Sequence, residues 1–287
     1  SEHAYRYRAR DPATGALPAG FDYEHTHDLF SLARFVRAAL GLRGPASVLS
    51  TACSSAAKSF GEAAELIAAG ICDAAVVGGA DSLCGMTLYG FTALELLARG
   101  PSRPFAADRD GISIGEAAAF ALLERPDAAP SGSVCLLGFG ASADAHHMSS
   151  PHPEGVGAAR AMAEALAAAG LAPADIDYVN FHGTGTRAND ATEDQAVFRV
   201  LGGGPACSST KGWTGHTLGT SGALEAIIAA LGIRHGLVPG CLNVDTVDPA
   251  FRSDVAIRNR HQRVRRVLSN SFGFGGSNCS LVLGVAP

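Results

Sequence analysis

The sequence predicts an α/β fold in which helices cover the faces of β-sheet. In the second half of the chain, short apolar runs alternate with longer segments of helical periodicity. Such alternation is typical of sheets layered with helices. Part of the pattern occurs twice, because two predicted helices end at Gly70 and Gly236, each directly before an apolar run. This internal repeat predicts two related halves, residues 1–125 and residues 126–287.

The spacing of apolar residues places the individual elements. In the first half it predicts helices at 29–40 and 54–69, and strands at 47–50, 74–78 and 114–123. In the second half it predicts helices at 157–169, 193–201 and 221–234, and strands at 134–139, 176–181, 206–209, 237–242, 267–272 and 279–285. The first half lacks the strand-helix-strand opening of the second. We therefore expect an N-terminal segment of the first half to be missing from this chain.

Composition excludes several classes of protein. With 287 residues, 47% of them hydrophobic, the chain can bury a large core. A net charge of −5 provides no basic surface field for nucleic acid or an anionic membrane. Seven cysteines without paired spacing favour a reducing compartment, and no apolar stretch approaches the roughly 18 residues of a membrane span. We expect a cytoplasmic protein with no nucleic-acid or membrane partner.

Cys53 is a candidate nucleophile. It lies between a short apolar run and the helix predicted from residue 54, so its thiol would stand on a strand-to-helix turn. Backbone N–H groups at a helix N-terminus favour negative charge, and this position therefore predicts a lowered thiol pKa. A buried cysteine is also a common small core residue, so this motif alone leaves both interpretations open.

Three more polar clusters bracketed by glycine follow apolar runs, at 182–186, 211–216 and 270–278. His182 and His216 are candidate hydrogen-bond donors to a reacting group, although a single histidine is often structural. Lys211 would raise the local positive potential, unless it is an ordinary surface lysine. Metal binding is the competing use of one cysteine and two histidines. We predict no metal site, because the three lie on separate loops without metal-ligand spacing.

Taken in this order, the four segments resemble the active site of the β-ketoacyl-acyl carrier protein synthases of the Cys-His-His branch. Further segments at 102–105, 109–111, 115–116 and 144–148 extend the resemblance over most of the chain from about residue 41. The resemblance implies a thiolase-like αβαβα fold of two pseudo-duplicated halves, with the first half incomplete. A thiolase would carry a second active cysteine near its C-terminal glycine motif, and residues 273–276 contain none. The Cys-His-Asn branch would have asparagine in place of His216.

The resemblance also implies an activity and its catalytic residues. The activity is decarboxylative Claisen condensation of an acyl group on Cys53 with malonyl-acyl carrier protein, which gives a 3-oxoacyl-acyl carrier protein. The backbone N–H groups of Cys53 and Phe274 would form the oxyanion hole, while His182 and His216 would stabilise the enolate. Glu193 matches the acidic residue that orients the site in the family. A carboxylate near a helix N-terminus is the alternative interpretation of Glu193.

Substrate-binding residues follow from the same resemblance. Thr184 and Thr186 would hydrogen-bond the phosphopantetheine arm, or else they are turn residues. That arm belongs to the acyl carrier protein, so we expect no cofactor of the enzyme's own. The expected partners are the acyl carrier protein and a second copy of this chain in a homodimer.

Gly273, Phe274 and Gly275 resemble a mobile gate whose ring separates the acyl pocket from the malonyl site. Glycines on both sides of one bulky residue would give such a gate its freedom to move, but a hairpin turn has a similar sequence. Asp144 resembles part of the facing gate loop, and the alternative is a plain polar loop.

Two alternatives to fatty-acid synthesis stay open. One is a ketosynthase of a polyketide or aryl-polyene pathway, which the sequence pattern does not separate from a fatty-acid enzyme. The other is a non-catalytic partner subunit of a heterodimeric synthase. Such partners usually lack the cysteine, whereas this chain carries Cys53, His182 and His216.

Overall fold

The computed structural model describes residues 10–18, 20–128 and 130–285. Helices α1 to α8 are, in order, Tyr23–Thr26, Ser31–Ala39, Ser55–Ala68, Gly85–Ala93, Val156–Ala169, Arg187–Leu201, Lys211–Thr214 and Ser221–His235. Strands β1 to β10 are, in order, Ala74–Asp81, Ala117–Glu124, Val134–Ala143, Tyr178–Asn180, Ala206–Ser208, Leu237–Val238, Asp254–Val255, Arg260–His261, Arg266–Gly273 and Ser277–Val285. No helix in these ranges combines the length and hydropathy that a membrane span requires.

The second half is built on a six-stranded mixed sheet with the order β3-β10-β9-β4-β5-β7. Strand β10 runs antiparallel to β3 and β9, while β4 runs parallel to both β9 and β5. Asn180 at the end of β4 is paired with Ser208 at the end of β5. Because parallel strands end at the same edge, the segments that follow them, with His182 and Lys211, emerge side by side.

Helices cover this sheet on both faces. Helices α5 and α6 pack on one face, in a core that includes Met162, Phe181 and Leu268. Helices α3 and α8 pack on the other face, between the six-stranded sheet and the antiparallel pair β1-β2. These two helices approach closely, since a Cβ added to Gly222 would lie 2.7 Å from the Cβ of Ala57. The result is the layered α/β arrangement that the sequence predicts.

Most predicted elements of the second half are confirmed, and two predictions need correction. Helix α6 begins at Arg187, earlier than the predicted residue 193. The strand predicted at 237–242 is limited to Leu237–Val238, because Pro239 has no N–H for a strand ladder.

In the first half, one prediction is corrected by the structure and one helix was not predicted. The strand at 47–50 is wrong, since this mostly exposed segment pairs with no strand in the described ranges. Helix α4 was not predicted. Within the described residues, the pair β1-β2 lies in residues 1–125 and the six-stranded sheet in residues 126–287.

Candidate active site

Cys53 lies on a strained turn at the start of α3. Ala52 has a φ of 53°, a left-handed conformation that is uncommon for residues other than glycine. Two hydroxyls replace backbone partners in this turn: Ser54 donates to the Thr51 carbonyl at 2.9 Å, and Ser55 Oγ accepts from the Thr51 N–H at 2.8 Å. The predicted elbow therefore exists, although an isolated β-bridge at Thr51 precedes it instead of a strand.

The environment of the Cys53 sulfur opposes ionisation. Burial raises the pKa of the thiol to about 11. The charge of Lys211 and hydrogen bonding from the backbone N–H groups of Phe274 and Cys53 act to lower the pKa, but they do not compensate for burial. The lowered pKa predicted from the helix N-terminus is therefore wrong, because removing the thiolate from water costs more than these groups return. The same two N–H groups are the donors that the resemblance assigns to the oxyanion hole.

His216 lies within hydrogen-bond distance of the thiol, with Nε2 3.1 Å from Cys53 Sγ. Its Nδ1 lies 3.1 Å from Ser221 Oγ, and Ser221 Oγ accepts a hydrogen bond from Thr217. The Ser221 hydroxyl hydrogen is thus free to bond Nδ1, which assigns the ring hydrogen to Nε2. Burial lowers the pKa of His216 well below its usual value, so the ring is neutral. Its Nε2–H group points at the sulfur.

His182 is oriented by Lys211. The Lys211 ammonium lies 3.4 Å from His182 Nδ1, and because an ammonium only donates, Nδ1 accepts and Nε2 carries the hydrogen. Burial first, and then the charge of Lys211, lower the pKa of His182 well below its usual value. The rings of His182 and His216 are 5.3 Å apart and nearly perpendicular. The site therefore holds two neutral histidines of the same tautomer.

Lys211 forms a buried ion pair with Glu225. Its Nζ lies 2.5 Å from Glu225 Oε1 and 2.5 Å from the His182 carbonyl oxygen. Lys211 is 1% exposed, so the surface interpretation of this lysine is wrong. Glu225 was not predicted as a site residue from the sequence. The available signal was that Glu225 is the one acidic residue in the largely apolar helix α8.

Glu193 stabilises the turn that contains His182 through hydrogen bonds to its backbone. Its carboxylate accepts from the backbone N–H groups of His182 at 2.7 Å and Gly183 at 2.8 Å, and from Asn270 Nδ2 at 3.1 Å. Burial raises the pKa of this carboxyl to about 7. Glu193 lies in the second turn of α6 and is 1% exposed, so complementing the helix dipole does not explain it. It orients backbone and does not contact the thiol.

A second buried carboxylate, also missed from the sequence, holds the rest of this loop. Asp190 accepts from the backbone N–H groups of Gly185 at 3.2 Å and Phe105 at 2.9 Å, with Arg109 Nε 3.6 Å away. The loop presents Thr184 and Thr186 with their hydroxyl oxygens 2.9 Å apart. Two adjacent hydroxyls of this kind suit a polar, extended ligand.

The predicted gate residues lie at the β9-β10 hairpin. The half-buried ring of Phe274 stacks on Phe91 with 5.7 Å between centroids, and Gly275 has a φ of 79°. Asp144 contacts this hairpin, because its N–H donates to the Gly276 carbonyl at 2.9 Å and its Oδ1 accepts from Asn278 at 2.8 Å. The two predicted gate segments are therefore in direct contact.

A close approach fixes Gly273, since a Cβ added there would lie 2.8 Å from the Thr51 carbonyl oxygen. The hairpin thus packs directly on the turn that carries Cys53. Across the described residues, no group of three or more His, Cys, Asp or Glu side chains is placed to hold a metal ion.

Several known proteins with similar sequences are named as 3-oxoacyl-acyl carrier protein synthases. The chain is 42% identical over 258 residues to 3-oxoacyl-[acyl-carrier-protein] synthase 2 of Rhizobium meliloti, which covers 84% of this chain and 61% of the relative. It is 41% identical over 261 residues to the mitochondrial 3-oxoacyl-[acyl-carrier-protein] synthase of Arabidopsis thaliana, with 84% and 57% covered. The chain thus spans about three-fifths of the length of these relatives.

A solved structure and two domain families that match this chain are also ketosynthases. A ketosynthase from Xenorhabdus doucetiae, solved in complex with its chain length factor, matches with a TM-score of 0.89 and 42% identity over 99% of this chain and 70% of that one. Residues 30–129 match the β-ketoacyl synthase N-terminal domain, and residues 134–245 match the C-terminal domain. The chain belongs to the β-ketoacyl synthase family.

Proposed function

We propose that this protein is a condensing acyltransferase that forms 3-oxoacyl-acyl carrier protein in fatty-acid synthesis. The observation that carries the proposal is the 3.1 Å contact between His216 Nε2 and Cys53 Sγ, in a buried site that also holds His182 and the Phe274 N–H. A nucleophile, oxyanion donors and enolate donors in one site are what a Claisen condensation requires. The names of the relatives from Rhizobium meliloti and Arabidopsis thaliana support the same chemistry.

The first half-reaction is acyl transfer to Cys53. The sulfur attacks the thioester carbonyl of an acyl carrier protein, and a bond between the Cys53 sulfur and the acyl carbon forms. The carbonyl oxygen becomes an oxyanion, which the N–H groups of Cys53 and Phe274 stabilise. The bond to the pantetheine sulfur then breaks, and this leaving thiolate takes up the proton that Cys53 loses. Because the pKa of Cys53 is about 11, its proton is lost during the attack and not before.

The second half-reaction forms the carbon-carbon bond. The malonyl group loses carbon dioxide, and the electron pair of the broken bond becomes an enolate whose oxygen accepts from the Nε2–H groups of His182 and His216. The enolate carbon attacks the acyl carbonyl on Cys53. The tetrahedral intermediate collapses with loss of the Cys53 thiolate, which regains a proton from solvent. Neutral histidines suit this step because they donate hydrogen bonds without trapping the enolate as an enol.

The supporting residues have separate roles in this proposal. Lys211 and Glu225 fix the tautomer of His182, and Glu193 fixes its backbone. Thr184 and Thr186 bind the pantetheine arm of the carrier protein, so the enzyme needs no cofactor of its own. The partners are an acyl carrier protein and a second copy of the chain. The seven free cysteines suit the cytoplasmic location that the proposal assumes.

A second candidate function is a ketosynthase of a polyketide or aryl-polyene pathway. The observation that favours it is the 42% identity to the Xenorhabdus doucetiae ketosynthase, which was solved with a chain length factor. This candidate uses the same chemistry at Cys53 but pairs the chain with a homologous subunit. A non-catalytic role for this chain is disfavoured, because Cys53, His182 and His216 are brought together in one site.

The test is a condensation assay with the full-length protein, using malonyl-acyl carrier protein and a series of saturated and polyunsaturated acyl-carrier proteins. Mass spectrometry of the carrier proteins would identify the products. Formation of saturated 3-oxoacyl products by the protein alone supports the fatty-acid proposal. Activity only with polyunsaturated acyl groups, or only after adding a homologous subunit, supports the second candidate. Loss of product in Cys53→Ala with no loss in Cys84→Ala would assign the activity to this site.

A further inference from the structure

Lys58 is a half-buried lysine that the proposed chemistry does not use. It lies in α3, one turn after Ser54, and its Nζ is 2.6 Å from Ser277 Oγ. No carboxylate in the described ranges lies within ion-pair distance of this ammonium. Its one hydrogen-bond acceptor there is the Ser277 hydroxyl. A charge-assisted bond to a neutral hydroxyl at this distance is stronger than a bond between two neutral groups.

Ser277 makes a second hydrogen bond, to Ser54 at the start of the same helix. The fully buried Ser54 has its Oγ 3.2 Å from Ser277 Oγ and 3.0 Å from Thr51 Oγ1. Ser277 is the first residue of β10 and is paired with Gly273 at the base of the hairpin. The hydroxyl cluster of Thr51, Ser54 and Ser277, closed by Lys58, therefore joins the start of α3 to the base of the Phe274 hairpin.

This link has a consequence for the oxyanion hole, because its two donors lie on different elements. The Cys53 N–H belongs to the start of α3, and the Phe274 N–H belongs to the tip of the hairpin. Their relative position depends on how the hairpin base is held against α3. Gly273 allows the close approach, but a glycine contact does not hold the two elements together. In the described ranges, the bonds to Ser277 Oγ are the side-chain hydrogen bonds that do so.

We propose that Lys58 is a positioning residue that acts through Ser277 to hold the hairpin that carries the Phe274 N–H against the turn that carries Cys53. The proposal rests on the proposed function, since it assigns Lys58 to the acyl-transfer half-reaction. The enolate donors are held by other residues: Ser221 orients His216, and Lys211 orients His182. Loss of the Lys58 bond therefore slows acyl transfer selectively and leaves malonyl decarboxylation nearly unchanged.

The experiment compares five variants with wild type in the full-length protein. Lys58→Met and Ser277→Ala each remove the bond, and the double variant Lys58→Met/Ser277→Ala tests whether the two residues act as a unit. Ser277→Thr keeps the hydroxyl. Ser59→Ala is the matched control, because Ser59 is the next residue in α3 and its hydroxyl bonds only the Ala56 carbonyl.

Three quantities are measured for each protein. The first is amide hydrogen exchange across 273–277, which reports the hold on the hairpin independently of any activity. The second is the single-turnover rate of Cys53 acylation by an acyl carrier protein. The third is the rate of malonyl-carrier protein decarboxylation. A general loss of folded protein would lower both rates in equal proportion.

We expect Lys58→Met and Ser277→Ala to speed exchange across 273–277 and to slow acylation by about tenfold, since full loss of an oxyanion donor costs about 100-fold or more. Decarboxylation should change less than about twofold. The double variant should be no slower than the slower single variant, and Ser277→Thr and Ser59→Ala should behave as wild type. Unchanged exchange in Lys58→Met, multiplicative effects in the double variant, or equal loss in both half-reactions would each overturn the proposal. If wild type itself is not acylated, the proposed function fails, and faster or unchanged exchange still decides whether Lys58 holds the hairpin.

Discussion

Ala52 and Leu218 adopt the same left-handed backbone conformation, with φ values of 53° and 52°, and each lies three residues before the first residue of a helix. Helices α3 and α8 therefore begin with equivalent turns, one in each half of the chain. In the first turn the next residue is Cys53, and in the second it is Gly219. A side chain at Gly219 would begin 3.2 Å from the Asp81 carboxylate. Both turns have the same backbone conformation, but only the first carries a cysteine, Cys53.

The first prediction concerns the strain at Ala52. Ala52→Val should lower the free energy of unfolding by about 1–2 kcal/mol, because a β-branched residue is poorly tolerated at positive φ. Ala52→Gly should change it by less than about 1 kcal/mol, since relief of strain is offset by the larger entropy of the unfolded chain. Urea unfolding of both variants provides the measurement. The control is Ala163→Val at an exposed position of α5, where valine should cost about 0.5 kcal/mol. Equal losses for the two valine variants would contradict the strained elbow.

The second prediction concerns the buried pair of Lys211 and Glu225. Lys211→Met leaves the Glu225 carboxylate without its partner, and we expect the free energy of unfolding to fall by about 3–5 kcal/mol. Adding Glu225→Leu to this variant should restore much of the lost stability, because the unpaired charge is removed. Denaturant unfolding of wild type, single and double variants tests this. A double variant no more stable than Lys211→Met would mean that the ion pair does not determine the loss.

The helices and strands that are encoded by local sequence were predicted most accurately. Helices α5 and α8 and strands β9 and β10 were placed within one or two residues, because each has a clear apolar period and ends near glycine or at a turn. The strand predicted at 47–50 failed for a physical reason. A strand exists only when a neighbour accepts its hydrogen bonds, and that neighbour does not follow from the strand's own sequence.

In the candidate site, the residues with a local sequence signal were predicted, and the properties that depend on packing were not. Cys53 was predicted from its strand-to-helix turn, and His182 and His216 from their glycine-bracketed clusters; the fold brings the three together. The direction of the Cys53 pKa shift was wrong, because the depth of burial of a thiol is a property of the packed fold. Glu225 was missed for the same reason, since an isolated acid in a helix is usually a solvated charge.

The third prediction separates the histidines from the cysteine. His182→Ala and His216→Ala should each slow malonyl-carrier protein decarboxylation by about 100-fold or more, because each removes one donor to the enolate oxygen. Acylation of Cys53 should be affected less. Cys53→Gln should show the reverse pattern, with acylation lost and decarboxylation retained. Radiolabelled carbon dioxide release and intact-protein mass spectrometry measure the two steps. Normal decarboxylation in both histidine variants would mean that the histidines serve only the thiol.

The fourth prediction is the pH dependence of Cys53 alkylation by iodoacetamide. Since burial raises the thiol pKa to about 11, the thiolate is a minor form at neutral pH and its fraction grows as pH rises toward that value. The alkylation rate should therefore increase about tenfold per pH unit between pH 7 and pH 9. Cys53→Ser provides the background from the other six cysteines. A rate that is already constant above pH 7 would show a lowered pKa instead.

The central claim is that Cys53 carries the acyl group. The most direct test is to incubate the full-length protein with an acyl-carrier protein, omit the malonyl substrate so that the thioester accumulates, and map the adduct by peptide mass spectrometry. We predict one acyl group per chain, located on Cys53 and absent in Cys53→Ala. An acyl group on any other cysteine, with Cys53 unmodified, would contradict the account.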